Sequence, residues 1–260
     1  MPIAGEIEQF LFTRAPRAGA MEWDNVGLLL GDPTKSVTRC LVALDITEAV
    51  ADEAVSLGCQ LIVSHHPLMN CHWLPVQSVR EDTRQGHLLR KLLRHDVAAI
   101  CMHTNLDVAE GGVNDILAQT LGLEGPGVLC ENGLGRVGTL PAPMALRDFA
   151  RFVSRTLGCN GLRFSDAGRP VSRVAVGGGA CGDCIAPAIA AGCDTFVTAD
   201  LSYHQFLDTG EINLIDAGHF PTENPVCAAL VDALKEQFPQ LSVIKSASHR
   251  EVIQYYVEGE

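Results

Sequence analysis

The feature that most restricts the fold is an internal repeat. Ala54, Gly58, Cys59, Ile62, Val63 and Ser64 recur as Ala188, Gly192, Cys193, Phe196, Val197 and Thr198, a constant offset of 134 positions. The preceding apolar pairs Leu41-Val42 and Ala175-Val176 fall at the same offset. Each copy reads as a strand, a helix closed by a glycine, and a second strand. Strands alternating with helices favour parallel pairing, so the expected class is α/β, with two related α/β lobes facing each other.

Other segments fit the same alternation. Residues 3 to 12 put Ile3, Ile7, Phe10 and Leu11 on one helical face, and Trp23-Asp24-Asn25-Val26-Gly27 signals a turn ahead of a strand at Leu28 to Leu30. Cys40 to Leu44 reads as a strand. Thr47 is the expected N-cap of a helix whose Val50, Ala54 and Leu57 face inward and whose stop is Gly58. Leu88, Leu92 and Leu93 predict a helix before a strand over 97 to 101, and Val113, Ile116, Leu117 and Leu121 predict another after it. Residues 124 to 143 are rich in glycine and proline. They suggest a first lobe over 1–124, a boundary region over 125–143 and a second lobe over 144–260, the halves intertwined as one structural unit.

At 260 residues, 47% hydrophobic and 19% charged, the chain can bury a large core. A formal net charge of −12 and an isoelectric point near 5.1 argue against a general affinity for nucleic acid or an anionic membrane, since both need a basic face. The ten cysteines are scattered, and Cys181 and Cys184 form the sole CxxC pair. The N-terminus has no signal-peptide pattern, and no run approaches the ~20 apolar residues that span a bilayer. The expected compartment is the reducing cytoplasm, with most cysteines acting as small core residues.

Chemistry concentrates at three strand ends. His65-His66 close the apolar run Leu61 to Ser64. The segments His103-Thr104-Asn105-Leu106-Asp107 and His219-Phe220-Pro221-Thr222-Glu223 each place an imidazole four residues before a carboxylate, after a short apolar stretch. Parallel strands deliver their C-terminal ends to one sheet edge, where ligands bind in open α/β folds. Imidazole nitrogen with carboxylate oxygen is the donor set of a borderline transition-metal site. Adjacent residues in extended chain point oppositely, so His65 and His66 are expected to serve two neighbouring ions, with a turn at Pro67. A dinuclear centre in the cleft between the lobes follows, with Glu223 able to offer both carboxylate oxygens. His103 and Asp107 could divide the work, one as a ligand and the other orienting an imidazole.

Blander readings stand beside these. His72, His87, His95 and His249 read as ordinary core or surface histidines. Gly177-Gly178-Gly179 could cradle a phosphate or simply make a turn, having neither a P-loop lysine nor GxGxxG spacing. Cys181 and Cys184 could be a redox pair, half a zinc site or core packing, and packing is favoured without a second CxxC. The segment Asp200-Leu201-Ser202-Tyr203-His204 takes the place in the second copy that His65-His66 hold in the first, which draws attention to His204. It is a candidate wall residue and proton donor, or else a histidine at a helix start capped by Asp200 or Ser202.

With these blocks in hand, the chain resembles the NGG-one-interacting-factor-three-like family over nearly its whole length. Many members of that family carry the name GTP cyclohydrolase 1 type 2 homologue. The resemblance rests on Trp23-Asp24-Asn25-Val26-Gly27-Leu28, Leu44-Asp45-Ile46-Thr47, Ser64-His65-His66-Pro67, His103 to Asp107, Gly111-Gly112-Val113-Asn114, Asp200 to His204, and Asp216-Ala217-Gly218-His219 with Glu223. It implies two α/β lobes, a dinuclear metal centre at their junction and a homohexameric ring. In that pattern the metal ligands fall on His65, His66, Asp107, His219 and Glu223, with His103 and His204 close by as candidate catalytic residues. The implied cofactors are two divalent ions per subunit, iron or zinc, with manganese, cobalt and nickel also compatible. The implied activity is metal-dependent hydrolysis of a small molecule, a purine nucleotide whose imidazole ring is opened with release of formate. The alternative is a non-catalytic ring that handles metal or regulates.

Overall fold

Both copies of the repeat end in sheets that share one strand order. The computed structural model describes residues 1–69 and 78–256, so Cys71 and His72 lie outside the described residues. From the N-terminus come α1 (Ala4–Arg14), β1 (Gly27–Leu30), β2 (Arg39–Ala43), α2 (Glu48–Ser56), β3 (Leu61–Ser64), α3 (Arg84–Arg94), β4 (Ala98–Cys101) and α4 (Thr104–Val108). There follow α5 (Val113–Thr120), β5 (Glu124–Val128), β6 (Arg136–Met144), α6 (Leu146–Leu157), β7 (Arg163–Ser165), β8 (Val171–Val176) and α7 (Ile185–Ala190). The chain ends with β9 (Thr195–Thr198), α8 (Tyr203–Asp208), β10 (Asn213–Asp216), α9 (His219–Glu223), α10 (Pro225–Gln237) and β11 (Ser242–Lys245).

These elements form two compact units. One comprises Met1–Glu110 and Cys227–Arg250, the other Gly111–Val226 with the described residues from Glu251 onward. The first sheet has the order β1-β4-β3-β2-β11, parallel except for β1, which runs antiparallel to β4. The second has the order β5-β6-β8-β9-β10-β7, in which β8, β9 and β10 are parallel and β7 is antiparallel to β10. Thus β1-β4-β3-β2 recurs as β7-β10-β9-β8 with the same directions. Strands buried on both faces read as unbroken apolar runs, and β3, β4, β9 and β10 are buried at every residue.

Local chemistry sets the helix ends. Thr47 Oγ1 accepts from Val50 N at 3.2 Å to start α2, and Gly58 stops it at φ +64°. In α3 the buried stripe is Leu88, Leu89 and Leu92, while Leu93, expected to face inward, is 53% exposed. Five residues turn a helix through about 500°, so Leu93 lands about 140° away from Leu88 and off the stripe.

The glycine- and proline-rich stretch is a hairpin within the second sheet, not a boundary over 125–143. β5 pairs with β6, and β6 pairs antiparallel with β8, Val137 opposite Ala175. The glycines make the turn: Gly135 has φ +68°, and a Cβ there would lie 3.0 Å from Val176 O. Arg136 is buried at the base of the turn, bonded to Asp115 and to the carbonyls of Gly133 and Gly135 at 2.9 and 2.8 Å. Division into units instead falls after Glu110, and the C-terminal α10 and β11 return mostly to the first unit.

The first core packs Leu41, Ile62, Val50, Leu89 and Leu92 together. In the second unit, one cluster gathers around Phe149 and Val174 and another around Phe196 and Leu214. Among the described residues, no helix is long and apolar enough to cross a membrane.

Candidate functional site

The first unit brings His65, His66, His103 and Asp107 together. The N–H groups of both His65 and His66 donate to Leu44 O, at 3.2 and 2.8 Å. Two successive donors on one carbonyl require the chain to bend at once, and Ser64 Oγ donates to His66 O at 2.8 Å across that bend. The rings consequently lie 4.9 Å apart between centroids, rather than on the opposite faces that extended backbone predicts. His103 is the N-cap of α4, its ring 5.2 Å from that of His65 and 5.5 Å from that of His66. One nitrogen from each of the three rings belongs to a group with mutual distances within 4.8 Å, close enough to hold a metal ion. One turn along α4, Asp107 Oδ1 is 3.5 Å from His65 Nε2.

Each ring has an acceptor behind it. His65 Nδ1 faces Met102 O at 2.8 Å, His66 Nδ1 faces Asp45 Oδ1 at 2.7 Å, and His103 Nδ1 faces Asp24 Oδ1 at 2.8 Å. A carbonyl or an ionised carboxylate can only accept, so Nδ1 carries the proton and Nε2 is the ring's donor atom towards a metal. That is the arrangement of a metal-ligating imidazole. Burial alone would raise Asp24, but bonds from His103 and Thr104 outweigh it and hold the carboxyl down at about 2. Asp45 is likewise lowered: against its burial stand hydrogen bonds from His249 and His66. His249 Nε2 sits 3.3 Å from Asp45 Oδ2, so this histidine, read from sequence as ordinary, backs the carboxylate that backs His66.

The second unit holds a smaller set built on the same plan. Asp200 follows β9 in the left-handed region at φ +56°, and His219 follows β10 after Gly218 at φ +89°. His219 Nδ1 meets Asp200 Oδ2 at 2.6 Å, and its Nε2 lies 3.1 Å from Glu223 Oε2, one turn along α9. Burial opposes a charge on His219, but the hydrogen bonds to Asp200 and Glu223 prevail and push it up to about 11. A cation at Nε2 would take the place of that proton, which is the electrostatic signature of a site for positive charge. Glu223 is buried against the glycine triplet. A Cβ on Gly179 would come within 2.1 Å of Glu223 Oε1, and Gly179 has φ +62°.

The triplet itself is turn chemistry, not a phosphate cradle. Its three N–H groups donate to Val197 O, Asn114 Oδ1 and Thr222 Oγ1 at 2.9, 2.9 and 3.0 Å. His204 is exposed in the first turn of α8, its ring 5.4 Å from Tyr203, behind a capping box of Ser202 and Gln205. It joins no group of three metal donors among the described residues. Sequence reasoning missed the anchoring roles of Asp24, Asp45, Asp200 and His249. Asp200 alone carried a positional signal, since it stands at the repeat equivalent of His66.

Comparison with known proteins follows the same outline. The sequence pattern of the Duf34/NIF3 (NGG1p interacting factor 3) family matches residues 3–251. A Streptomyces coelicolor protein named GTP cyclohydrolase 1 type 2 homolog is 36% identical over 255 residues, covering 91% of this chain and 88% of its own. One of the same name from Clostridium perfringens is 34% identical over 224 residues, covering 83% and 84%. Among solved structures, a Bacillus cereus protein related to NIF3 superposes with a TM-score of 0.92 at 25% identity, covering 98% of this chain and 99% of its own. A Staphylococcus aureus protein superposes with a TM-score of 0.89 at 29% identity, covering 98% and 100%.

Proposed function

The chain belongs to the Duf34/NIF3 (NGG1p interacting factor 3) family, and from that premise we propose that His65, His66, Asp107, His219 and Glu223 hold two divalent metal ions that serve a hydrolytic reaction. The observation that carries this reading is the common anchoring of the imidazoles, each of which gives Nδ1 to an acceptor. Nitrogen and oxygen donors without sulfur suit iron or zinc, and also manganese, cobalt or nickel. Such ions, when bound, supply Lewis acidity and bring the deprotonation of water towards neutral pH.

The chain's own groups do the rest. Asp24, Asp45 and Asp200 fix the tautomers of His103, His66 and His219. Gly179 leaves the space that the Glu223 carboxylate occupies. His103, beside the two other imidazoles, and the exposed His204 are the proposed proton carriers, His204 delivering to the leaving nitrogen. The substrate suggested by the relatives' name is a purine nucleotide, whose imidazole ring is opened by water with release of formate. The same reading has the protein working in the cytoplasm as a homohexameric ring, which light scattering on the purified protein checks.

Protein purified without chelator is assayed for metal and then for formate release from GTP. We expect roughly two metal ions per chain, and formate release that falls about 100-fold in His65→Ala and Glu223→Ala. Metal without turnover on GTP, phosphoesters, other nucleotides or cyclic amides would assign a metal-handling role instead. Absence of metal would remove both readings.

A further inference from the structure

We propose that Cys130, Cys181 and Cys184 form a thiol–disulfide exchange site in the second unit, in which Cys184 is the sulfur shared between two alternative disulfides. From sequence only the CxxC pair is visible. Folding adds a third thiol from the β5–β6 hairpin, where Cys130 N donates to Leu134 O at 3.0 Å and Cys130 O accepts from Gly133 N at 2.9 Å. Cys184 Sγ then lies 3.0 Å from Cys130 Sγ and 3.2 Å from Cys181 Sγ. A disulfide bond is about 2.05 Å long, so either pair closes by a shift of about 1 Å. Gly177 makes this possible: a Cβ there would lie 2.7 Å from Cys181 Cβ and displace it.

Cys184 Sγ is the sulfur that both of the others reach. Among the described residues, no group of three metal donors mutually within 4.8 Å contains a sulfur. A soft-metal site needs donors converging on a point, whereas two short pairs sharing one sulfur suit pairwise exchange. Cys181 and Cys184 are buried, and Cys130 is half-buried, so Cys130 is the point of entry. Burial and the hydrogen bond to Cys184 push Cys130 up to about 12. The hydrogen bond to Cys181 and burial push the Cys184 thiol up as well, so Cys130 and Cys184 are thiols at neutral pH, and exchange is slow rather than adventitious.

The oxidant is a low-molecular-weight disulfide, RSSR. The Cys130 thiolate attacks one of its sulfurs, forming a Cys130–SR mixed disulfide and expelling RS⁻, which takes up the proton Cys130 lost. The Cys184 thiolate then attacks Cys130 Sγ, expelling the second RS⁻, protonated in turn, and leaving a Cys130–Cys184 disulfide. Attack by Cys181 on Cys184 Sγ transfers the bond to Cys181–Cys184 and returns Cys130 as a thiol. Two cysteine thiols are oxidised by two electrons, and RSSR is reduced to two RSH.

The test exposes the reduced full-length protein to millimolar oxidised glutathione, quenches it in acid, alkylates it and maps the peptides without reduction. The expected map shows a glutathione adduct at Cys130 at early times, then the Cys130–Cys184 and Cys181–Cys184 disulfides. Alkylatable thiols fall by two from the ten of the sequence. Cys184→Ser should trap the Cys130 adduct and abolish both internal disulfides. Cys130→Ser should slow formation of Cys181–Cys184 by about ten-fold or more. Ten thiols persisting after prolonged oxidation, or oxidation spread over the other cysteines, overturns the proposal. The wild-type map alone decides this, so a variant that fails to fold cannot obscure it.

Discussion

Asp45 illustrates how much of the site lies one bond behind the expected ligands. Its two oxygens bond to His66 at 2.7 Å and to His249 at 3.3 Å, so removing it frees two rings at once. Loss of such an orienting carboxylate lowers metal affinity by 10- to 100-fold in known metal sites. Asp45→Ala is expected to fall in that range, and His249→Ala to lose less, because Asp45 still holds His66. Competition against a chromogenic chelator measures both, and equal affinity in all three proteins would sink the anchoring role. The proposed histidine ligands stood out in the sequence because they follow apolar strand runs, His65 beside His66 and His219 four residues before Glu223. Their anchors did not. Asp24 and Asp45 lie 79 and 21 positions from the rings they hold, and nothing in spacing says which acid will face which imidazole.

At the level of elements, α2 was legible because cap, apolar stripe and glycine stop all agree. By contrast, α4 and α9 span five residues each, too few to show a period of 3.6, although they carry Asp107 and Glu223. The β5–β6 hairpin was misread because glycines that make a tight turn resemble a linker when strand pairing is unseen. One helix contact lends itself to measurement. On α2, Glu53 accepts from Ser246 Oγ and from the N–H groups of Ala247 and Ser248 at 3.0 and 3.1 Å, holding the segment after β11. Burial opposes its charge, but these donors outweigh it and lower the carboxyl from its ordinary value. A depressed folded value means that the contribution is complete above the unfolded pKa and is lost as pH falls through the folded one. Glu53→Gln should therefore cost about 1 kcal/mol at pH ~7, read from the denaturant midpoint, and the gap should close towards pH ~3. A gap independent of pH would mean that packing, not charge, holds the segment.

For the molecule as a whole, the repeat has the largest consequence. A strand order found twice, β1-β4-β3-β2 and β7-β10-β9-β8, puts a donor set after β3 and β4 in the first unit and after β9 and β10 in the second. Alternation and the offset of 134 revealed the two halves. They could not reveal that α10 and β11 belong mainly with the first half, because β11 is a four-residue run at the sheet edge beside β2. Metal that binds only the folded protein should stabilise it. At a free-ion concentration 100 times the dissociation constant the gain is about 2.7 kcal/mol. For a chain of this size that raises the melting temperature by roughly 5–10 °C. Calorimetry on chelator-stripped and reloaded protein checks this, with Glu223→Gln and His65→Ala as the controls that should lose most of the gain. Reloading that shifts the melting of the wild type and of both variants equally would place the bound ion elsewhere. A curve that ignores both chelator and metal would leave these imidazoles and carboxylates without a cation to hold.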